Sequence, residues 1–354
     1  MFDTNDRLSE MNLIQEEFEQ IFKVYNLPIG RISQNGISMN GQPVTTTIWG
    51  PIQNRQLVNT DYHYSIGKKL LHFTSLRSLF SIINEKSFRL YNLLNSNDPN
   101  EYSYTVGKLK SFYKKQGKTE GWIISQIQYV KETAFILSCT SPDELTSSKF
   151  WDEYGDGGKG VCIELEIFDN PINWEGFYLS KVKYGELNRW NEFISEILIL
   201  CDKHPSNYYD FRFDMIFCLH KSLDLTYVSE KEIRILGQKP QKHGWIFDSL
   251  IHTDIGKRNI LVQYLKLPIW TEQSHKLSFQ NEKQWLERVN HGFEFTVDDF
   301  TSYFNQSPTV KIFKVYVGQN FHTGDDFYTF QRVFRNYTYD NLGYKIDICH
   351  IDSV

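Results

Sequence analysis

Three groups of residues in this chain have the types and spacing to do chemistry. Glu230, Glu232 and Arg234 stand at alternate positions of the stretch Tyr227-Val-Ser-Glu-Lys-Glu-Ile-Arg-Ile-Leu236. In an extended chain alternate side chains share a face, so two carboxylates and a guanidinium form one polar cluster while Ile233 and Ile235 turn to the core. An exposed ion-pair ladder on an edge strand, worth about 0–1 kcal/mol, explains the same pattern without a ligand. His72 ends the apolar run Leu70-Leu71-His72-Phe73, directly before Thr74 and Ser75, either of which can cap a following helix. Free N–H groups and the helix dipole favour anions at such a junction, although a lone histidine is also a common structural residue. Phe150, Trp151 and Tyr154 run at helical spacing into Gly155. That spacing suits core packing, and Tyr154, beside the glycine turn, is the ring best placed to stack on a ligand.

Other motifs fail on context. Gly155-Asp-Gly157-Gly158-Lys-Gly160 has the spacing of a dinucleotide fingerprint, but the predicted strand follows it instead of preceding it. Gly117-Lys118-Thr119 ends like a phosphate loop, yet Phe112 occupies the position of the required first glycine. The chain contains no Gly-x-Ser-x-Gly, no His-Glu-x-x-His and no Glu-x-Lys. Hydrolysis at a bound metal is not the expected chemistry.

Composition bounds the remainder. A balance of 38 basic to 43 acidic residues, net charge -5, leaves no broad cationic surface for duplex nucleic acid. Cys139, Cys162, Cys201, Cys218 and Cys349 are odd in number and widely separated, which predicts reduced thiols and neither a disulfide framework nor a zinc site. Apolar runs such as Ala134 to Leu137 are far shorter than the roughly 20 residues a membrane span needs. The opening Met-Phe-Asp-Thr-Asn-Asp lacks a basic start and an apolar stretch, so a cytoplasmic location is expected. Ala134 is the only alanine, and the bias toward Asn, Lys, Ile, Phe and Tyr that goes with it weakens aromatic content as a sign of a ligand surface.

The elements that must position these groups follow from periodicity. Met11, Ile14, Phe18, Ile21 and Tyr25 predict an amphipathic helix over 6–26 that needs a partner surface. Residues 30–67, rich in Gly, Asn, Ser, Thr and Gln, read as loops and short strands, which makes 1–66 an N-terminal extension and 67–354 the main domain. Within that domain a strand at Leu70 to Phe73, a helix with Leu76, Leu79, Phe80 and Ile83 on one face, and a strand at Phe88 to Tyr91 form the first unit. Helices over 102–115 and 120–132 lead to strands at Ala134 to Cys139, Lys159 to Ile167 and Phe177 to Tyr184. Helices over 187–202 and 206–222 precede strands at Glu232 to Leu236, Asn259 to Leu265 and Lys311 to Val317. A helix over 325–336 and a strand at Tyr344 to Ile351 complete the set. Strands and helices mix without a steady βαβ rhythm, so the fold class is α+β.

These stretches, taken in order, resemble a known family. Leu71-His-Phe-Thr-Ser-Leu, Asn97-Asp-Pro-Asn-Glu101, Phe135-Ile-Leu-Ser138, Trp151-Asp-Glu-Tyr154, Gly160-Val-Cys-Ile-Glu164 and Lys221 leading to Glu230-Lys-Glu232-Ile-Arg234 look like the bacterial domain of unknown function 2971 family, from about Leu70 onward. More distantly, His72, Tyr154 and Glu232 stand in the order and contexts of the His-Tyr-Glu class of ADP-ribosyltransferases, and Glu230-x-Glu232 resembles the strand start of arginine-specific transferases. That resemblance implies mixed or antiparallel sheets flanked by helices, with NAD as the substrate. His72 would hydrogen-bond a ribose hydroxyl, Tyr154 or Trp151 would stack on nicotinamide, and Glu232 or Glu230 would be catalytic. Thr74, Ser138, Lys221 and Arg234 would complete the NAD site. A carboxylate near a breaking C–N glycosidic bond stabilises the oxocarbenium-like transition state, and no metal is required. The implied activity is ADP-ribose transfer to a macromolecule or NAD hydrolysis, in a bacterial toxin or antiphage effector with residues 1–66 free to meet a regulatory partner. The alternatives are a catalytically inactive nucleotide-sensing or partner-binding module and a metal-dependent nuclease.

Overall fold

The structure, a computed structural model, describes residues 4–30, 32–35, 44–51, 54–64, 69–95, 107, 110–111, 113–114, 117–167, 171, 174, 176–185, 190–204, 207–212, 218–221, 225–238, 251–256, 260–271, 308–322 and 327–351. Helix α1 (Thr4–Val24) is followed by strands β1 (Ile32–Asn35), β2 (Val44–Trp49) and β3 (Lys69–Thr74). Then come α2 (Leu76–Glu85), β4 (Ser87–Asn92), α3 (Glu120–Thr133), β5 (Ala134–Cys139), α4 (Ser148–Glu153), β6 (Val161–Ile167), β7 (Phe177–Lys181) and β8 (Lys183–Tyr184). The chain continues through α5 (Trp190–Lys203), β9 (Asn207–Arg212), β10 (His220–Lys221), α6 (Leu225–Val228), β11 (Ile233–Gln238), β12 (Ile251–Ile255) and β13 (Leu261–Pro268). The described part closes with β14 (Val310–Val317), α7 (Phe327–Leu342) and β15 (Asp347–His350).

Two sheets carry the core. The larger has strand order β12-β13-β4-β5-β11-β7, every adjacent pair antiparallel. The smaller has order β15-β14-β6-β3, antiparallel except for β14 with β15. They touch through a bridge between Leu71 and Thr140, with an N–H to carbonyl bond of 2.9 Å in each direction, and a second bridge between Ile269 and Val310. Leu165, Ile163, Ile235, Leu265 and Val315 are among the side chains filling one apolar core between them. This is an α+β architecture of mixed and antiparallel sheets with helices packed alongside.

Several elements have a plain local cause. Ser75 caps α2 by accepting from the Ser78 N–H at 3.2 Å, and Lys86 in the left-handed conformation ends the helix and turns the chain into β4. Leu79 and Ile83, four residues apart, put the apolar face of α2 on the core. A different outcome meets the helix expected over 206–222: Asn207–Arg212 forms β9, paired in parallel with β2, and His220–Lys221 forms β10. Aromatic residues at 209 and 211 are buried by that pairing, a period of two that tertiary contact favours over helical spacing. Strand β12 was not expected from sequence, and most of the helix expected over 102–115, with Asn97, Asp98 and Glu101, lies outside the described residues.

The described residues before Gly67 share a second core with the main sheets. Ile14, Phe18 and Phe22 of α1 are buried, with Phe22 edge-on to Phe193 and Phe18 against Tyr209 and Phe211. The Tyr178 hydroxyl donates to the Pro51 carbonyl at 2.9 Å, and the Leu179 N–H donates to the Asn54 side chain at 2.8 Å. Tyr62, fully enclosed, hydrogen-bonds His220 Nε2.

Burial, aided by the Lys183 ammonium, holds the His220 imidazole at about 3, against 6.5 when unfolded. Below about pH 6.5 the unfolded chain therefore takes up a proton that the folded chain refuses until near pH 3. Stability from this group is complete above 6.5 and falls as pH drops, by up to about 1.4 kcal/mol per pH unit. Melting temperatures at pH 7.5, 6.0 and 5.0 should decline more steeply for the native chain than for His220→Gln, which starts lower; parallel slopes would contradict a buried neutral imidazole.

Candidate functional site

The separation in sequence between His72 and Glu232 is closed by strand pairing. The Leu71–Thr140 bridge brings β3 beside β5, and the register Arg234 to Ser138 brings β11 onto the other side of β5. His72 within β3, Ser138 near the end of β5 and Glu232 just before β11 thus meet at one corner. Tyr154, at the C-terminus of α4, and Lys221, on β10, approach from the side. A cleft of about 930 Å³ opens there, lined by His72, Thr74, Ser138, Tyr154, Lys221, Glu230 and Glu232.

Ser138 ties the corner together. Its hydroxyl donates to Glu232 Oε1 at 2.5 Å, and its carbonyl lies 3.0 Å from His72 Nδ1. A carbonyl only accepts, so Nδ1 carries the proton. Burial lowers the imidazole's proton affinity, partly offset by that bond, so the ring stays neutral near pH 7 and Nε2 keeps a lone pair.

The two glutamates are in different situations. Glu232 Oε1 accepts from Ser138 and from Arg234 Nε at 2.7 Å, while Oε2 accepts from Lys221 Nζ at 2.8 Å and Arg234 Nη2 at 3.0 Å. Its four acceptor positions are filled. Burial alone would raise this carboxyl, but Arg234 and Lys221 outweigh that and hold it below the usual carboxylate range. Among the described residues Glu230 accepts from the Tyr154 hydroxyl at 2.8 Å and from Lys221 at 2.9 Å, one bond to each oxygen, against two for each oxygen of Glu232. The Tyr154 phenol is pushed well above its ordinary value by burial and by Glu230, so it remains a donor. Glu230 is therefore the carboxylate with capacity left for a ligand, and Glu232 the one that holds Lys221 and Arg234.

Two of the residues expected in the site stand behind it. Arg234 is 1% exposed, lies outside the cleft lining and donates to the Cys218 carbonyl as well as to Glu232. The expectation of an exposed edge-strand ladder does not hold, because β11 lies between β5 and β7 and both charges are enclosed. Trp151 is buried edge-on against Phe73, with its indole N–H donating to the Leu145 carbonyl at 2.7 Å, and does not line the cleft. The glycines of the 155–160 turn have a packing reason: a Cβ on Gly160 would meet the Thr74 carbonyl at 2.4 Å, and one on Gly318 would meet that of Gly158 at 2.2 Å. Close backbone approach clamps the turn that carries Tyr154.

Sequence reasoning did not find the other arm of the cleft, where Arg89, Tyr91, Ile136, Ile255 and Ile260 line the wall. Alternation in β4 places Arg89 and Tyr91 on one face, but only the cross-strand register Tyr91 to Ile136 shows that this face continues to Ser138. Among the described residues no three His, Cys, Asp or Glu side chains are gathered as a metal ion would require, and no described helix is long and apolar enough to cross a membrane. Comparison with family models, curated proteins and solved structures finds no match to this chain.

Arg234→Met should destabilise the fold by about 3–5 kcal/mol, because it leaves the enclosed Glu232 charge short of its main partner. Glu230→Gln should cost less, because Lys221 keeps Glu232 as its partner and the glutamine oxygen still accepts from Tyr154. Urea unfolding of both variants checks this; equal small effects would show that the Glu232–Arg234 pair is not holding the corner.

Proposed function

We propose that the cleft binds NAD and that the chain breaks its nicotinamide–ribose bond, delivering ADP-ribose to a macromolecule or to water. The observation that carries this reading is the double use of Ser138, which fixes His72 through its carbonyl and Glu232 through its hydroxyl at one end of a cleft that Tyr154 and Glu230 also enter. A neutral imidazole with Nε2 open and a carboxylate with unused acceptor positions suit ribose hydroxyls, which are donors. The Tyr154 ring gives a flat apolar face beside them. As the C–N bond lengthens, positive charge grows on the ribose and Glu230 lies on the cleft wall to oppose it; nicotinamide leaves with the bonding pair, and the acceptor loses a proton as it bonds to the sugar carbon. The resemblance of His72, Tyr154 and Glu232 to the His-Tyr-Glu transferases supports the same assignment, and with it a setting in bacterial toxicity or antiphage defence.

One feature favours a second reading, a nucleotide sensor without turnover. Glu232 is saturated by protein groups, as a purely structural carboxylate would be.

Nicotinamide release and melting temperature separate the two. Saturating NAD at 100 times its dissociation constant should stabilise the chain by about 2.7 kcal/mol, a shift of several degrees. Glu230→Gln should keep that shift and slow nicotinamide release by about 10² or more. Binding with no release by the native chain supports the sensor. The absence of any shift at millimolar NAD removes NAD from the proposal, and full activity in Glu230→Gln and Glu232→Gln alike rules out the carboxylate mechanism.

A further inference from the structure

The cleft is larger than its charged end requires. At about 930 Å³ it stands near the top of the range of about 300–1,000 Å³ typical of small-molecule sites. Ribose and nicotinamide, placed among His72, Ser138, Tyr154 and Glu230, would fill one end and leave the Tyr91 arm open.

That arm has a distinct chemistry. Tyr91 lines it and is 45% exposed, although it belongs to a strand in the interior of the larger sheet. Its ring lies 6.2 Å from that of Tyr264, which is itself held between the stacked His252 ring at 5.4 Å and the Arg89 guanidinium at 4.2 Å. Arg89 is fixed in turn by Glu85 and by Asp254 at 2.9 Å. The tyrosine thus stands on a rigid base. Ile260, 48% exposed, and Val262 line the same arm. Two large apolar side chains, Tyr91 and Ile260, left open at one mouth mark a surface that a ligand completes. Arg89 cannot serve as a bare phosphate anchor, since both neighbouring carboxylates already neutralise it.

We propose that this arm is a base-stacking subsite for the purine of an adenine nucleotide, with Tyr91 as the platform and Ile260 and Val262 as the apolar wall. The register places it correctly for one extended ligand: Tyr91 pairs with Ile136, and Ile136 and Ser138 are two residues apart on one face of β5, about 7 Å. The assignment rests on the NAD reading for the charged end but recognises a different half of the molecule. It makes the intact dinucleotide the preferred ligand over its nicotinamide mononucleotide half.

Three probes on the full chain test it by calorimetry: NAD, nicotinamide mononucleotide and AMP. Stacking on an aromatic side chain is worth about 1–3 kcal/mol, or about 5- to 150-fold in affinity. NAD should bind the native chain tighter than the mononucleotide by a factor in that range. Tyr91→Ala should erase the difference without changing mononucleotide affinity, and Tyr91→Phe should restore it. The position is exposed, so an unchanged melting temperature in Tyr91→Ala confirms an intact fold. Equal affinity of NAD and mononucleotide, or a difference that survives Tyr91→Ala, overturns the subsite and leaves the charged-end reading standing. AMP binding that depends on Tyr91, with no mononucleotide binding, keeps the subsite and overturns the reading of the charged end. Binding of none of the three overturns both.

Discussion

The corner where the two sheets meet depends on one enclosed carboxylate. Glu232 satisfies Arg234, Lys221 and the Ser138 hydroxyl at once, and each of these partners belongs to a different piece of backbone or faces a different layer. An ionised group taken out of water is costly unless its partners surround it, so this arrangement fixes their positions more tightly than apolar contact would. Ser138 passes the constraint to His72, and Lys221 passes it to Glu230. The Tyr184 hydroxyl accepts from the Glu232 N–H at 2.8 Å, which anchors the backbone as well as the side chain. The charged end of the cleft is in this sense the exposed surface of a buried ion network.

The division of labour between the glutamates illustrates what local pattern can and cannot show. Alternation placed Glu230, Glu232 and Arg234 on one face, and the side chains do gather. Whether that face meets water depends on which strands flank β11, and those lie far away in the chain. The same limit applies to Trp151 and Tyr154: helical spacing places them on neighbouring parts of one face, and only the packing of Phe73 and Leu145 on Trp151 shows which of them is enclosed.

Strands β3 and β5 were readable from sequence as short apolar runs and β6 from its alternation, all of them local signals. Strand β9 was not, since its residues suit helix and strand alike and the choice is made by β2, which lies about 160 residues earlier with β3 to β8 in between. The Tyr91 arm was hidden for a similar reason: a tyrosine in a strand is unremarkable until its cross-strand neighbour is known. Secondary structure was accessible where it is a local property, and the site only to the extent that its members sit at element ends.

The strand order also sets a sequence of events during synthesis. Strand β11 fits between β5 and β7, both of which leave the ribosome before it, so the larger sheet stays split until residues 233–238 emerge and insert. Chains grow N-terminus first, at about 5–20 residues per second, which gives the gap a lifetime of seconds. The strand that closes it carries the carboxylates at its leading end. A nascent chain therefore holds His72 and Tyr154 before it holds Glu230 and Glu232, and the carboxylates arrive with the strand that joins β5 to β7, while β12 and β13 are added to the far edge of the sheet only afterwards.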